Sequence, residues 1–309
     1  MPSFWIIDAD YLEREQIIHC KSNNNTERGK NMCFDNLPYG YNVVWYDDFS
    51  SPELDKKKWR QIPAMSGTGN GDHVVTEGEH NLKIENNELV MSARREPDGT
   101  YTSNKSLTTK DKMAFKYGLI EMRAKVPYGK PAWPSFWTQS YAPLRKAPYM
   151  TEIDIFEVFA KDNQLDFTIH KWYEKEDNEE QGYHVQKGIN PFLFPSKQEA
   201  EQYHIYAMNW TPEKIEFLID GRICGSFDIT ESGEFDDTAE SGKTGGMTGM
   251  HDYAYLLFNC YIFTENSSWK PYGIEDTCYA TENDKFPIEY KIDWIRIAQK
   301  EGEGGIALF

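Results

Sequence analysis

The chain has 309 residues, enough for one large β domain or two average ones. Its formal net charge of −17 excludes a nucleic-acid partner, whose phosphates such a surface repels, and no run of ~18 apolar residues is present to span a membrane. Aromatic residues make up 15% of the chain, with 9 Trp and 19 Tyr; this is more than a core alone needs, and exposed rings suit the apolar C–H faces of sugars.

Residues 1–36 begin apolar and pass into a polar tract, Lys21 to Lys30, that contains consecutive asparagines. That composition is expected of a peripheral arm rather than a domain. Met1–Tyr11 has no basic n-region and carries Asp8 and Asp10, so no signal peptide is visible. From Val43 onward strand signals become frequent and short, with turn chemistry between them, the pattern of an all-β sandwich. Ser66–Asp72 is Gly-rich but lacks G-K-[ST], so it is not a phosphate loop. Glu88–Arg94 reads as a strand. In Gly118–Val126 the alternation buries Ile120, Met122, Ala124 and Val126 and turns Glu121, Arg123 and Lys125 outward. Asp220–Gly221, between Ile215–Ile219 and Arg222–Phe227, is a hairpin turn. Ser196 with Glu199 forms a capping box after Pro195 and opens a short helix to about Gln202, the one segment that reads as helical.

The acidic stretch Glu174–Glu180 reads as a solvated loop, and the Gly-rich Phe235–His251 as a mobile one. Glu301–Phe309 is expected to fray. There is no internal repeat and no heptad. The five cysteines, at 20, 33, 224, 260 and 278, are odd in number and lack C-x-x-C spacing, which argues against a zinc site and for buried free thiols. The expected organisation is an arm (1–36), one sandwich domain (37–300) and a flexible tail (301–309).

The chemistry concentrates in Met150–Phe159. Glu152, Asp154 and Glu157 sit inside a run of β-branched and aromatic residues that reads as a buried strand. On a regular strand Glu152 and Asp154 share a face, but Glu157 falls on the other, as an unpaired acid in the core. A β-bulge at Ile155–Phe156 removes the conflict by resetting the alternation, and all three carboxylates then line one face. Two glutamates flanking an aspartate fit glycoside hydrolysis, in which a retaining enzyme needs a carboxylate nucleophile and a carboxyl acid/base about 5–5.5 Å apart. Their Cα atoms lie roughly 13 Å apart along a strand, so both side chains must lean inward, as a concave sheet face would promote. Asp154 between them would orient both and help keep the acid protonated.

Glu152–Ile153–Asp154–Ile155–Phe156–Glu157 resembles the bulged E-[ILV]-D-x-x-E signature of glycoside hydrolase family 16, the form found in laminarinases, agarases, porphyranases and carrageenases. The resemblance extends from about Trp45 to about Ala298. Trp45–Tyr46–Asp47–Asp48–Phe49 with Leu54–Asp55 and Trp59 looks like the family's opening strand and loop. Tyr117–Pro127 resembles its G-x-I-E-x-R-A-K-V-P strand, and Trp133–Pro134–Ser135–Phe136–Trp137 its W-P-A-F-W segment. Tyr206–Pro212 resembles its Y-x-x-x-W-T-P, and Asp293–Ile297 its last strand.

The resemblance implies a two-sheet antiparallel β-sandwich, a concanavalin A-like jelly roll with a concave substrate groove. It implies a retaining endo-acting glycoside hydrolase cutting a β-1,3- or mixed-linkage glucan or a β-linked galactan. In that scheme Glu152 is the nucleophile, Asp154 the orienting group and Glu157 the acid/base. The two alternatives are a transglycosylase and a non-catalytic carbohydrate-binding protein on the same fold. Trp133 and Trp137 would contact sugar on the non-reducing side of the cut, His170 would contact substrate near the acid/base, and Asn259 is a further substrate-binding candidate. No cofactor is required. Some relatives bind a structural calcium on the convex face, for which Asp293, with Asp47 or Asp48, is the candidate donor set. Arg145 and Lys146, in the loop before the catalytic strand, would suit sulfated galactans. A monomer acting on polysaccharide outside the cell or in the periplasm is implied. Two departures bear on substrate: Thr138–Gln139 stands where laminarinases commonly have Met–Leu, and Met150 stands where lichenases have tryptophan.

Overall fold

A computed structural model of the protein describes residues 37–63, 73–147, 149–173, 184–230, 250–266 and 276–309. The arm 1–36 with Cys20 and Cys33, the Gly-rich loop Ser66–Asp72, the acidic stretch Glu174–Glu180 and most of Phe235–His251 lie outside the described residues. The first strands are β1 (Tyr41–Asp47), β2 (Arg60–Ile62), β3 (Val74–Thr76), β4 (Leu82–Glu85), β5 (Glu88–Arg95), β6 (Tyr101–Asn104), β7 (Ser106–Thr108) and β8 (Met113–Lys116). Then come β9 (Gly118–Lys125), β10 (Ala132–Ser140), β11 (Tyr149–Glu157), β12 (Gln164–Tyr173), β13 (His184–Gly188) and β14 (Phe192–Leu193). A single helical turn, α1 (Lys197–Ala200), precedes β15 (Tyr203–Trp210), β16 (Lys214–Ile219), β17 (Arg222–Asp228), β18 (Ala254–Ile262), β19 (Ile288–Lys300) and β20 (Gly305–Leu308).

These strands form two sheets. The first runs β17-β16-β15-β9-β19-β5-β6-β3, with β1 on β19 and β4 on β5; the second runs β13-β12-β11-β10-β18-β7-β2, with β14 on β12, β8 on β18 and β20 on β8. Pairing is antiparallel except between β3 and β6. The main core lies between the sheets. From the second sheet it takes Phe136, Ile153, Phe156, Ile169 and Phe258, and from the first it takes Ile120, Met122, Phe217 and Ile295. This is the expected all-β sandwich.

Local rules account for the details. Ser196 accepts the amide of Glu199 and starts α1, as the capping box requires. Asp220 and Gly221 adopt φ of 51° and 79°, the paired positive φ of a two-residue hairpin turn, and join β16 to β17. On β9, Ile120, Met122 and Ala124 are buried while Lys125 is exposed.

The tail corrects the expectation of fraying. Gly305–Leu308 pairs antiparallel with Lys116–Met113, the Phe309 amide donates to Lys112 O, and the Phe309 ring lies 4.7 Å from that of Tyr141. Gly302 and Gly304, with φ of 78° and 122°, turn the chain back. Gln299 Nε2 donates to Gly305 O at 3.2 Å. The alternation in Ile306–Ala307–Leu308 is too short to read as a strand, and the partner edge of β8 lies almost two hundred residues upstream.

Candidate active site

The bulge lies where the carboxylates require it. Asp154 pairs with Thr168 but Glu157 with Asp166, so three steps on β11 match two on β12. Against β10, Phe156 pairs with Phe136 and Asp154 with Trp137, which leaves Ile155 as the residue without a cross-strand partner. Ile155 and Phe156 are both buried in the core, and Phe156 packs on Tyr206 of the opposite sheet with ring centroids 4.6 Å apart. Truncating such an aromatic costs about 3–5 kcal/mol. The apolar side of the bulge therefore anchors the strand while its other side presents the acids.

Register then arranges the face of the second sheet in rows. The first row reads Tyr255, Gln139, Glu152, His170 across β18, β10, β11 and β12. The next reads Leu257, Trp137, Asp154, Thr168, and the third Asn259, Ser135, Glu157, Asp166. Trp133 beside Tyr261 begins a fourth.

Each glutamate is met by an indole N–H. Trp133 Nε1 donates to Glu157 Oε1 at 3.0 Å, and Trp172 Nε1 donates to Glu152 Oε2 at 3.0 Å. Between them, Asp154 Oδ2 lies 2.7 Å from His170 Nε2, and the His170 ring stacks on Trp172 at 5.7 Å with 15° between the planes. His170 therefore reaches the site through Asp154. Trp133 is only 6% exposed; its ring stacks on Phe263 at 5.0 Å, so it orients Glu157 rather than offering an open platform. Trp137 is half-buried, and its Nε1 donates to Asn259 Oδ1 at 3.2 Å. Asn259 is buried.

Burial raises all three carboxyls. Glu152 is pushed up to about 8 by burial and then by the charge of Asp154, against the pull of His170 and the Trp172 hydrogen bond. Glu157 is likewise pushed up to about 8, by burial and then Asp154, against the Trp133 hydrogen bond and His170. Asp154 is raised well above the ordinary carboxylate range by burial. Three acids so close and so dry do not all ionise near neutrality. The cluster suits a division of labour between a charged carboxylate and a protonated one.

Trp172 was not among the residues singled out from sequence, although the alternation that groups Thr168, His170 and Trp172 contains the signal. Glu152, Asp154 and His170 bring ligand-type atoms within 4.8 Å of one another, the one such group among the described residues. The His170–Asp154 hydrogen bond accounts for that proximity. The calcium donor set does not fit. Asp293 is paired with the Arg123 guanidinium, and Asp47 accepts from the Phe49 amide and Trp59 Nε1. Asp48 accepts from Ser50. A cation there would have to displace a guanidinium that already neutralises the carboxylate. Next to β11, the Lys146 and Ala147 amides donate to the Asp252 carboxylate at 3.0 and 2.9 Å, which fixes the backbone of the Arg145–Lys146 loop. Of the cysteines within the described residues, Cys260 is buried, and Cys224 and Cys278 are half-buried free thiols.

A two-sheet sandwich with a buried aspartate between two half-buried glutamates on one outer face defines a class of sugar-processing scaffold. The chain belongs to the glycosyl hydrolases family 16, whose model matches residues 69–245. It is 30% identical to glucan endo-1,3-beta-glucosidase A1 of Niallia circulans over 208 residues, 59% of this chain and 29% of that protein. It is 30% identical to a beta-glucanase of Rhodothermus marinus over 195 residues, 60% of this chain and 65% of the relative. The aligned part is thus less than two thirds of either relative's length. Among solved structures, a non-specific endo-beta-1,3(4)-glucanase from the family superposes with a TM-score of 0.62 at 25% identity, covering 86% of this chain and 93% of that one. The laminarinase from Flavobacterium sp. UMI-01 gives a TM-score of 0.60 at 26% identity, covering 84% of this chain and 100% of that one.

Proposed function

We propose that the chain is an endo-acting β-glucan hydrolase that retains anomeric configuration, with a β-1,3- or mixed-linkage glucan as substrate. The observation that carries this reading is the row geometry. Glu152 and Glu157 occupy one face, each held by its own indole donor, with Asp154 between them. Glu152 attacks the anomeric carbon, and the bond to the leaving oxygen breaks as Glu157 delivers its proton to that oxygen. Glu157, now ionised, takes a proton from water, whose oxygen displaces Glu152 from the sugar and restores both groups. Asp154, buried and bonded to His170, opposes a second charge on its neighbours and so keeps Glu157 protonated for the first step. Trp137 and Asn259, linked side by side on the same face, are the proposed sugar contacts, with Trp133 and His170 acting through the carboxylates they touch.

Glucan is preferred over sulfated galactan because the 30%-identical relatives act on glucans. A polymer that does not cross a membrane calls for action outside the cell or in the periplasm, by a monomer with an open face. No helix among the described residues is long and apolar enough to cross a membrane.

The test is a reducing-end assay on laminarin, barley β-glucan, agarose, porphyran, carrageenan and poly-N-acetyllactosamine, with Glu152→Gln alongside. Oligosaccharides from laminarin or barley β-glucan, absent with the variant, are expected, and proton NMR of the first product should show the β anomer. An acceptor sugar added to the same reaction measures transglycosylation. Turnover that survives Glu152→Gln would sink the assignment of the nucleophile. Binding without turnover by the unmodified protein would move the reading to a carbohydrate-binding protein.

A further inference from the structure

The face that carries the three carboxylates does not stop at β18. β8 joins β18 where Ala254 pairs with Phe115, and β20 joins β8 where Ala307 pairs with Ala114. Alternation on β8 sends Met113 and Phe115 into the main core and leaves Ala114 on the outer side, where it packs with Tyr141, Tyr255 and Leu257. Ala307 shares that side because it stands opposite Ala114. So does Phe309 two residues on, since its amide continues the ladder by donating to Lys112 O. A side chain at Gly305 would collide with the Tyr253 hydroxyl, so the strand is seated directly against this face. The tail therefore widens the surface on which Glu152, Asp154 and Glu157 stand.

Most of the rings gathered there are covered. Tyr255 and Tyr141 are buried, with Lys110 Nζ 5.6 Å from the centroid of the Tyr255 ring and the Tyr141 hydroxyl donating to Asp111 Oδ1 at 3.1 Å. Phe309 lies against Tyr141 and is 56% exposed. A lone exposed ring is ordinary on a protein surface. This one is the open end of a packed line, Phe309–Tyr141–Tyr255, that begins in the row containing Glu152.

We infer that Phe309 is a distal stacking position for the glucan chain, which crosses β10, β18 and β8 on its way from the carboxylates to β20. The inference rests on the reading of the site as a glucan hydrolase. From β11 to β20 there are four strand spacings, roughly 19 Å at about 4.8 Å each, so the position serves a sugar several units from the cut. The ligand it fits is a long β-glucan, whose rings present apolar C–H faces to an aromatic one. Backbone pairing of β20 and the contact with Tyr141 hold the ring in place beforehand, so little freedom is lost on binding.

The experiment measures kcat and KM on laminarin and on a glucan trisaccharide, which is too short to reach β20. It compares the unmodified protein with Phe309→Ala, Phe309→Leu and Phe309→Trp, and titrates laminarin into Glu152→Gln with and without Phe309→Ala. Phe309→Ala should raise KM for laminarin about 3–10-fold with kcat unchanged, and should leave the trisaccharide constants where they were. Phe309→Leu should behave like Phe309→Ala, because it is apolar without a flat face, and Phe309→Trp should keep KM at or below its original value. An unchanged KM for laminarin would overturn the inference. Equal losses on both substrates would overturn it too, because the tail would then support the site rather than touch sugar. The titration separates this inference from the reading beneath it. If the unmodified protein cuts laminarin while Phe309→Ala changes neither KM nor affinity, only the stacking position falls. If the unmodified protein binds laminarin without cutting it, the hydrolase reading falls, and a 3–10-fold weaker affinity with Phe309→Ala would still support the stacking position.

Discussion

Removing the proposed acid/base should make the protein more stable, by an amount that grows with pH. Glu157 is pushed up to about 8 in the folded chain, from an ordinary value of 4.5, chiefly by burial and then by Asp154. Between those two pH values the native state keeps a proton that the unfolded state has released. Native protons therefore exceed unfolded ones, and stability falls as pH rises through that window, at up to about 1.4 kcal/mol per pH unit. Below the window Glu157 is neutral in both states and contributes no slope. Taken alone, the full span would amount to roughly 5 kcal/mol. Glu152 and Asp154 share the same protons, so a retained effect on the order of 1–2 kcal/mol at pH 8 is the expectation. The carboxamide introduced by Glu157→Gln would still offer an oxygen to Trp133 Nε1, which now donates to Glu157 Oε1, so the substitution isolates the charge. At about 2–4 °C per kcal/mol, the melting temperature should rise by several degrees at pH 8 and by almost nothing at pH 4.5. Differential scanning calorimetry across pH 4.5, 6, 7 and 8 measures this, with glucan cleavage followed on the same samples. A gain that is absent, or equal at every pH, would refute the reasoning that burial of this carboxyl, rather than some packing change, sets its proton affinity.

Trp172→Phe keeps a ring against His170 but deletes the donor to Glu152, and kcat should fall roughly 10-fold or more, the cost of one hydrogen bond to a charged group; an unchanged kcat would mean that the indole only packs. For His204, burial lowers the pKa, but hydrogen bonds to Asp220 and to Glu199 O outweigh it and leave it raised. This bridge therefore adds stability that is present below the unfolded value near 6.5 and lost as pH climbs through the folded one. Asp220→Asn, which can keep the bond from the Ile205 amide, should cost more in urea midpoint at pH 6 than at pH 9. Deleting residues 305–309 should lower stability by on the order of 2 kcal/mol, because it bares the β8 edge and uncovers Tyr141; an unshifted midpoint would mean that β20 merely lies on the sheet.

What could be read in the chain beforehand was whatever local alternation decides. The bulge followed from one contradiction: Glu157 on a regular strand would be an unpaired acid among Ile153 and Ile155, and one extra residue is the least change that removes it. The Asp220–Gly221 turn and the Ser196 cap are equally local, each set by one or two backbone angles. Contacts between distant strands were not legible. The resemblance put Trp133 on the groove side, but its bond to Glu157 depends on the register between β10 and β11. Trp172 and Glu152 meet only because β12 pairs with β11 as it does. Asp293 read as a metal donor by position, whereas Arg123, 170 residues away, holds its carboxylate. The tail escaped for the same reason, because its partner edge is far away in sequence.

The unpartnered Ile155 has an effect beyond aiming Glu157. A bulge bends the strand that carries it and increases the local twist, and here both extra-frame side chains, Ile155 and Phe156, wedge into the layer between the sheets. The residue that turns the acid outward therefore also thickens the sandwich beneath it. Spacing in the motif and curvature of the binding face are one variable rather than two. Losing Ile155 would return Glu157 to phase with Asp154, the three acids alternating without a bulge, but the sheet under them would flatten. An insertion or deletion at this one position would thus move the protein between two groove shapes while leaving its three carboxylates on one face.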